Sequence, residues 1–175
     1  GIMLYGISPY AGRCGADDGL KPVMQLTTQL LAVYPRQAGA RIGYGGTGYC
    51  PEAMPVGVAA IGYGDGYPRQ LGNCGWARVN GQVAPLLGRV SMDLISLDLR
   101  ACPEAKPGDS VLLWGATLPV EHLATAAHTI AYELLCHVNA RAVPTSASGT
   151  IMAHLSEILG LKPPPSGGYT DLGEA

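Results

Sequence analysis

Three short segments of this 175-residue chain set chemically capable side chains among glycines. The first is Gly43-Tyr44-Gly45-Gly46-Thr47, a phenol flanked by residues that let the chain bend sharply and approach a ligand closely. A phenol exchanges protons as a general acid or base, but its free pKa is about 10, so work near neutrality requires a nearby cation or hydrogen bonds that favour phenolate. Read plainly, Tyr44 is a turn tyrosine whose ring packs on the core. The second segment, Gly62-Tyr63-Gly64-Asp65-Gly66-Tyr67-Pro68-Arg69, crowds two phenols, a carboxylate and a guanidinium into one loop. Asp-Gly is a common turn dipeptide, so Asp65 reads as a turn former rather than a catalyst. The third, Gly88-Arg89-Val90-Ser91-Met92-Asp93, begins a strand with a guanidinium able to grip a carboxylate with two hydrogen bonds. Alternation there puts Ser91 and Asp93 on one face and Val90 and Met92 on the other, making Met92 a core residue whose backbone N–H is still available to a ligand.

Other chemistries have little support. The five cysteines are widely spaced with no C-x-x-C pair, and no H-E-x-x-H motif joins the four histidines to a carboxylate, so no metal site is expected. Charged residues make up 14% of the chain with a net charge of −2, which leaves no footprint for nucleic acid or an anionic membrane. No apolar run is long enough to span a bilayer and no secretory signal opens the chain, so a soluble, cytoplasmic protein in a reducing compartment is expected.

The elements that position these residues are mostly strands. Glycine and proline together exceed a fifth of the chain without a collagen period, which favours tight turns over long helices. Gly1–Gly6 reads as a short buried strand, and Val23–Tyr34, Val56–Ile61, Val90–Leu99 and Ser110–Trp114 as further strands. Trp76–Val79 and Val83–Leu87, joined through Asn80-Gly81, read as a hairpin with a type I′ turn. Thr117 and Pro119 introduce a helix over VEHLATAA, and a second helix, IAYELLCHV, follows a break at His128-Thr129. Ile151, Leu155, Ile158 and Leu159 share a helical face ahead of a Pro/Gly-rich tail expected to be disordered. The pattern predicts a mainly β fold, a small Greek-key-like barrel or sandwich with two or three short helices.

Taken in order, GIMLYGISP, LKPVM, RIGYGGT, IGYGDGYPR, VNGQVAPLLGRVSMD, GDSVLLWG and TIAYELLCHV resemble the C-terminal part of the pyridoxal-phosphate alanine racemases over Gly1 to Pro144. The resemblance implies that residues 1–10 are the end of an N-terminal (β/α)8 barrel, 11–144 a C-terminal β domain, and 145–175 a short helix and tail. It implies an enzyme that interconverts L- and D-alanine with pyridoxal 5′-phosphate, acting as a homodimer in which this domain reaches the partner's active site. By the same resemblance, Tyr44 matches the catalytic tyrosine that takes the proton from L-alanine, and the backbone N–H of Met92 matches the donor to the substrate carboxylate. Gly1, Ile2 and Tyr132 match holders of the cofactor phosphate, and Tyr63, Arg69, Arg89 and Ile130 match the substrate corridor.

The chain also departs from the family pattern. None of Lys21, Lys106 and Lys162 matches the family's Schiff-base lysine, so the chain is expected to begin inside the cofactor site and to be inactive alone. His128 stands where a helix-breaking glycine is usual, and NARAVPT replaces the usual final strand. The alternatives are a stand-alone, non-catalytic binding module built on the same β domain, and racemisation of serine or another small amino acid.

Overall fold

The computed structural model describes residues 1–139, 141 and 142, all within the compact unit Gly1–Val143. The helix and tail expected beyond residue 145 lie outside the described residues. Among the described residues, eight strands form: β1 (Leu26–Arg36), β2 (Arg41–Ile42), β3 (Gly48–Tyr49), β4 (Met54–Ala59), β5 (Trp76–Val79), β6 (Gln82–Leu87), β7 (Ile95–Asp98) and β8 (Ser110–Trp114). Two short α-helices follow within the described residues, α1 (Val120–Ala126) and α2 (Ala131–His137). Six strands close an antiparallel barrel in the order β1-β4-β7-β6-β5-β8, while β2 and β3 pair separately.

Closure depends on β1. Its first half pairs with β8, from Leu26↔Trp114 to Gln29↔Ser110, and its second half pairs with β4, from Leu30↔Ala59 to Arg36↔Met54. A register shift between Leu30 and Ala32 bends the strand between its two neighbours, which is what a bulge does in a closing sheet. Leu30, Val79, Ala84, Leu97, Val111 and Leu113 fill the interior, and the same apolar cluster takes in Leu123 of α1 and Leu134 of α2. Fully burying each leucine contributes roughly 1.5–3 kcal/mol. Trp114 closes the cluster with its ring stacked on Tyr67, centroids 6.3 Å apart. The Asn80-Gly81 hairpin forms as expected, both residues at positive φ (50° and 79°).

Several local expectations need correction. Gly1–Gly6 is not a strand: Ile2–Tyr5 winds one 3-10 turn, ended by Gly6 in the left-handed region, and only Ile2 is buried. A run this short holds too little periodicity to separate the two conformations. Thr117 does not cap α1, whose N-cap position is Pro119. Of Val90–Leu99, only Ile95–Asp98 is strand, because tertiary hydrogen bonds hold Ser91–Asp93 in another shape. At the end of the unit, the Ala142 N–H closes a turn on the Asn139 carbonyl.

Candidate active-site segments

Tyr44 sits at the tip of the β2–β3 pair, which registers Ile42 against Gly48. Ile42 anchors this hairpin in a small apolar cluster with Cys50, Met54 and Val56. The chain then turns through Tyr44–Gly46, with Gly43 and Gly45 at φ 75° and 71°, a conformation that a side chain makes costly. The Tyr44 ring therefore does not pack on the core: the residue is 71% exposed, its phenol presented to whatever lies outside. Arg89 lies directly beneath this turn. A Cβ on Gly43 would stand 3.2 Å from the Arg89 backbone nitrogen, and one on Gly45 would stand 3.6 Å from Arg89 Nη1. Asn73 Oδ1 steadies the base by accepting the Gly88 N–H at 2.6 Å. The structure thus brings the turn that carries Tyr44 and Arg89 together.

Met92 also departs from its expected place, being 53% exposed rather than in the core. The cause lies in the loop that carries Tyr63. Tyr63 N–H donates to the Ser91 carbonyl at 3.0 Å and Gly64 N–H to the Met92 carbonyl at 2.8 Å. Ser91 N–H turns back to the Leu94 carbonyl at 3.0 Å, so the strand cannot start before Ile95. Gly62 lies so close that any Cβ there would overlap the Met92 carbonyl. Among the described residues, the Met92 N–H has no acceptor. Asp65 behaves as the turn former expected, its Oδ2 accepting the Gly62 N–H at 2.8 Å.

Tyr63 and Arg69 line a solvent-open groove of about 620 Å³ with His128, Glu133, His137 and Asn139. Ile130 and Tyr132, both exposed, line a different groove of about 260 Å³ with Tyr10 and Arg13. Gly1 and Ile2 line neither, so among the described residues neither groove gathers all the site residues named from the sequence. Tyr67, the second tyrosine of the Tyr63 loop, belongs to the core: it is 1% exposed, and burial pushes its phenol far above the usual range. That removes it as a base near neutrality. Sequence reading also missed Arg141. Its Nε lies 3.1 Å from Asp65 Oδ1 and its Nη2 2.5 Å from Asp93 Oδ1, and the Asp93 hydrogen bond followed by the Asp65 charge raises its pKa. These partners are remote in the chain, so no local spacing announces the contact.

Residues 23–145 match the model of the family described as alanine racemase, C-terminal domain. The chain belongs to this family. An alanine racemase of Nitrosococcus oceani is 58% identical over 141 residues, which cover 81% of this chain and 40% of that protein. The structure of biosynthetic alanine racemase from Pseudomonas aeruginosa superposes with a TM-score of 0.78 at 45% identity, covering 81% of this chain and 39% of its own. That of the Bartonella henselae alanine racemase with covalently bound pyridoxal phosphate gives 0.71 at 34% identity, over 81% and 39%. The chain therefore spans about two fifths of the length of these alanine racemases. The barrel and its two appended helices are the architecture of the alanine racemase C-terminal domain.

Proposed function

We propose that this chain is the C-terminal portion of an alanine racemase that interconverts L- and D-alanine, and that it presents Tyr44 to the active site of a partner subunit. The observation that carries this reading is the placement of Tyr44: a phenol held outward on a turn with a buried anchor and an arginine beneath it, in a chain of this family.

Racemisation takes the α-proton from one face of the amino acid and returns a proton to the other, so two opposed acid/base groups are needed. Tyr44 serves one face. It accepts the proton of L-alanine at its phenol oxygen and returns one there in the reverse direction. The opposite group, a lysine, is supplied by an N-terminal barrel domain. The Met92 N–H, without an acceptor among the described residues, binds the substrate carboxylate, while Tyr63, Arg69, Arg89 and Ile130 line the approach.

On this reading, residues of this chain hold one end of pyridoxal 5′-phosphate. The 3-10 turn at Ile2–Tyr5 leaves its first backbone N–H groups without acceptors inside the turn, and such a terminus suits a phosphate. Gly1 has open space around its Cα, and Tyr132 is half exposed, its hydroxyl available as a further donor. Gly1, Ile2 and Tyr132 would hold the phosphate. When bound, the cofactor supplies an electron sink for the carbanion left by proton removal.

Replacing Tyr44 with phenylalanine, in the enzyme assembled with its barrel, tests the central role. L-to-D turnover is expected to fall by ~10²–10⁴-fold with cofactor binding retained. Turnover close to the parent in both directions would contradict it.

A further inference from the structure

Two carboxylates from different parts of the chain meet one guanidinium beside Met92. Arg141 Nε lies 3.1 Å from Asp65 Oδ1, and Arg141 Nη2 lies 2.5 Å from Asp93 Oδ1. The planar fork of an arginine holds two such partners at a fixed angle; an ammonium does not. Asp65 is the more enclosed of the two, its side chain 13% exposed, and its second oxygen accepts the Gly62 N–H at 2.8 Å. Asn139 adds a parallel tie: its Nδ2 donates to the Gly64 carbonyl at 2.8 Å, and its Oδ1 accepts the Arg141 N–H at 3.0 Å. Asn139 and Arg141 therefore clasp the loop Gly62–Asp65 against the segment Ser91–Asp93.

The clasp has a directional consequence. Tyr63 N–H donates to the Ser91 carbonyl, which belongs to the same peptide plane as the Met92 N–H. In a trans peptide the N–H points opposite to the C=O, so a carbonyl pinned toward the Tyr63 loop aims the Met92 N–H away from it. The Gly64 N–H fixes the following plane through the Met92 carbonyl. With both flanking planes set, the Met92 N–H is held in one direction, without an acceptor among the described residues.

We propose that Arg141 is a positioning residue: by bridging Asp65 and Asp93 it fixes the direction of the Met92 N–H, and so orients the donor for the substrate carboxylate. This rests on the carboxylate-binding role given to Met92, but the clasp itself is testable without activity. In the full 175-residue chain, R141Q and R141K are compared with the parent by amide NMR and thermal unfolding. R141Q is expected to move the Met92 amide resonance and to speed exchange at Gly62, Tyr63 and Gly64 by at least ~10-fold, while the Val79, Leu97 and Val111 amides keep their protection. R141K, which keeps the charge and loses the fork, restores only part of the Met92 shift. D93N loosens one arm of the clasp and gives the same pattern at smaller amplitude, and it decides the matter if R141Q does not fold. An unmoved Met92 amide, or barrel amides that accelerate alongside the loop, overturns the proposal. A failed Tyr44 test leaves these amide results untouched, so the two readings fail separately.

Discussion

Tyr44 and Met92 show how far residue types carry an argument. Both were marked by their surroundings in the sequence, a glycine-flanked phenol and a strand start beside Arg89, yet local rules sent both side chains to the core. Both are exposed: Tyr44 because its flanking glycines turn the chain outward at positive φ, and Met92 because Tyr63, far along the chain, ties the Ser91 carbonyl and reshapes the backbone around it. His128 was legible in the opposite sense. The family resemblance sets it against an expected helix-breaking glycine, and the structure gives it φ 55°, a left-handed conformation costly for a residue with a Cβ. Replacing His128 with glycine relieves ~1–2 kcal/mol of strain and returns ~0.5–1 kcal/mol through greater freedom of the unfolded chain. Urea unfolding of H128G should therefore show a net gain between zero and ~1.5 kcal/mol; a clear loss of stability would mean the imidazole makes contacts that outweigh the strain.

Among the elements, the β5–β6 hairpin was the most legible, because its turn chemistry is local. Barrel closure was not, since it depends on a shift inside β1 that no spacing of apolar residues announces. The hairpin also has a long-range tie at its turn. Asn80 Nδ2 donates to Asp109 Oδ2 at 2.7 Å, and Asp109 Oδ2 also accepts the Lys106 N–H at 3.0 Å. These bonds, Asn80 first and Lys106 second, hold the Asp109 carboxyl below its ordinary range. A lowered folded pKa means a contribution that is fully present above the unfolded value near 4 and lost as pH falls through the folded one. Chain with D109N should lose this acid-range part of its pH dependence while keeping the rest. Melting curves of parent and variant that stay parallel from neutral pH down through pH 3 would contradict the tie.

At the scale of the whole molecule, the chain buries a complete barrel core and leaves its chemistry outside. Tyr44, Tyr63, Met92, Ile130 and Tyr132 are all exposed, and the grooves lined by Tyr63 and by Ile130 with Tyr132 are open. Order and spacing of the motifs were enough to name the family. They were not enough to unite the site: under the function proposed above, the surfaces that bring these residues together come from a barrel domain and a partner subunit. Among the described residues, no helix is long and apolar enough to cross a membrane. The most direct measurement is racemisation by the purified 175-residue chain, given L-alanine and pyridoxal 5′-phosphate and followed by the appearance of D-alanine. The same chain is then assayed after assembly with a barrel domain that supplies the lysine. No D-alanine from the chain alone, and D-alanine that depends on Tyr44 from the assembled enzyme, is the predicted result. Robust racemisation by the chain alone would contradict it.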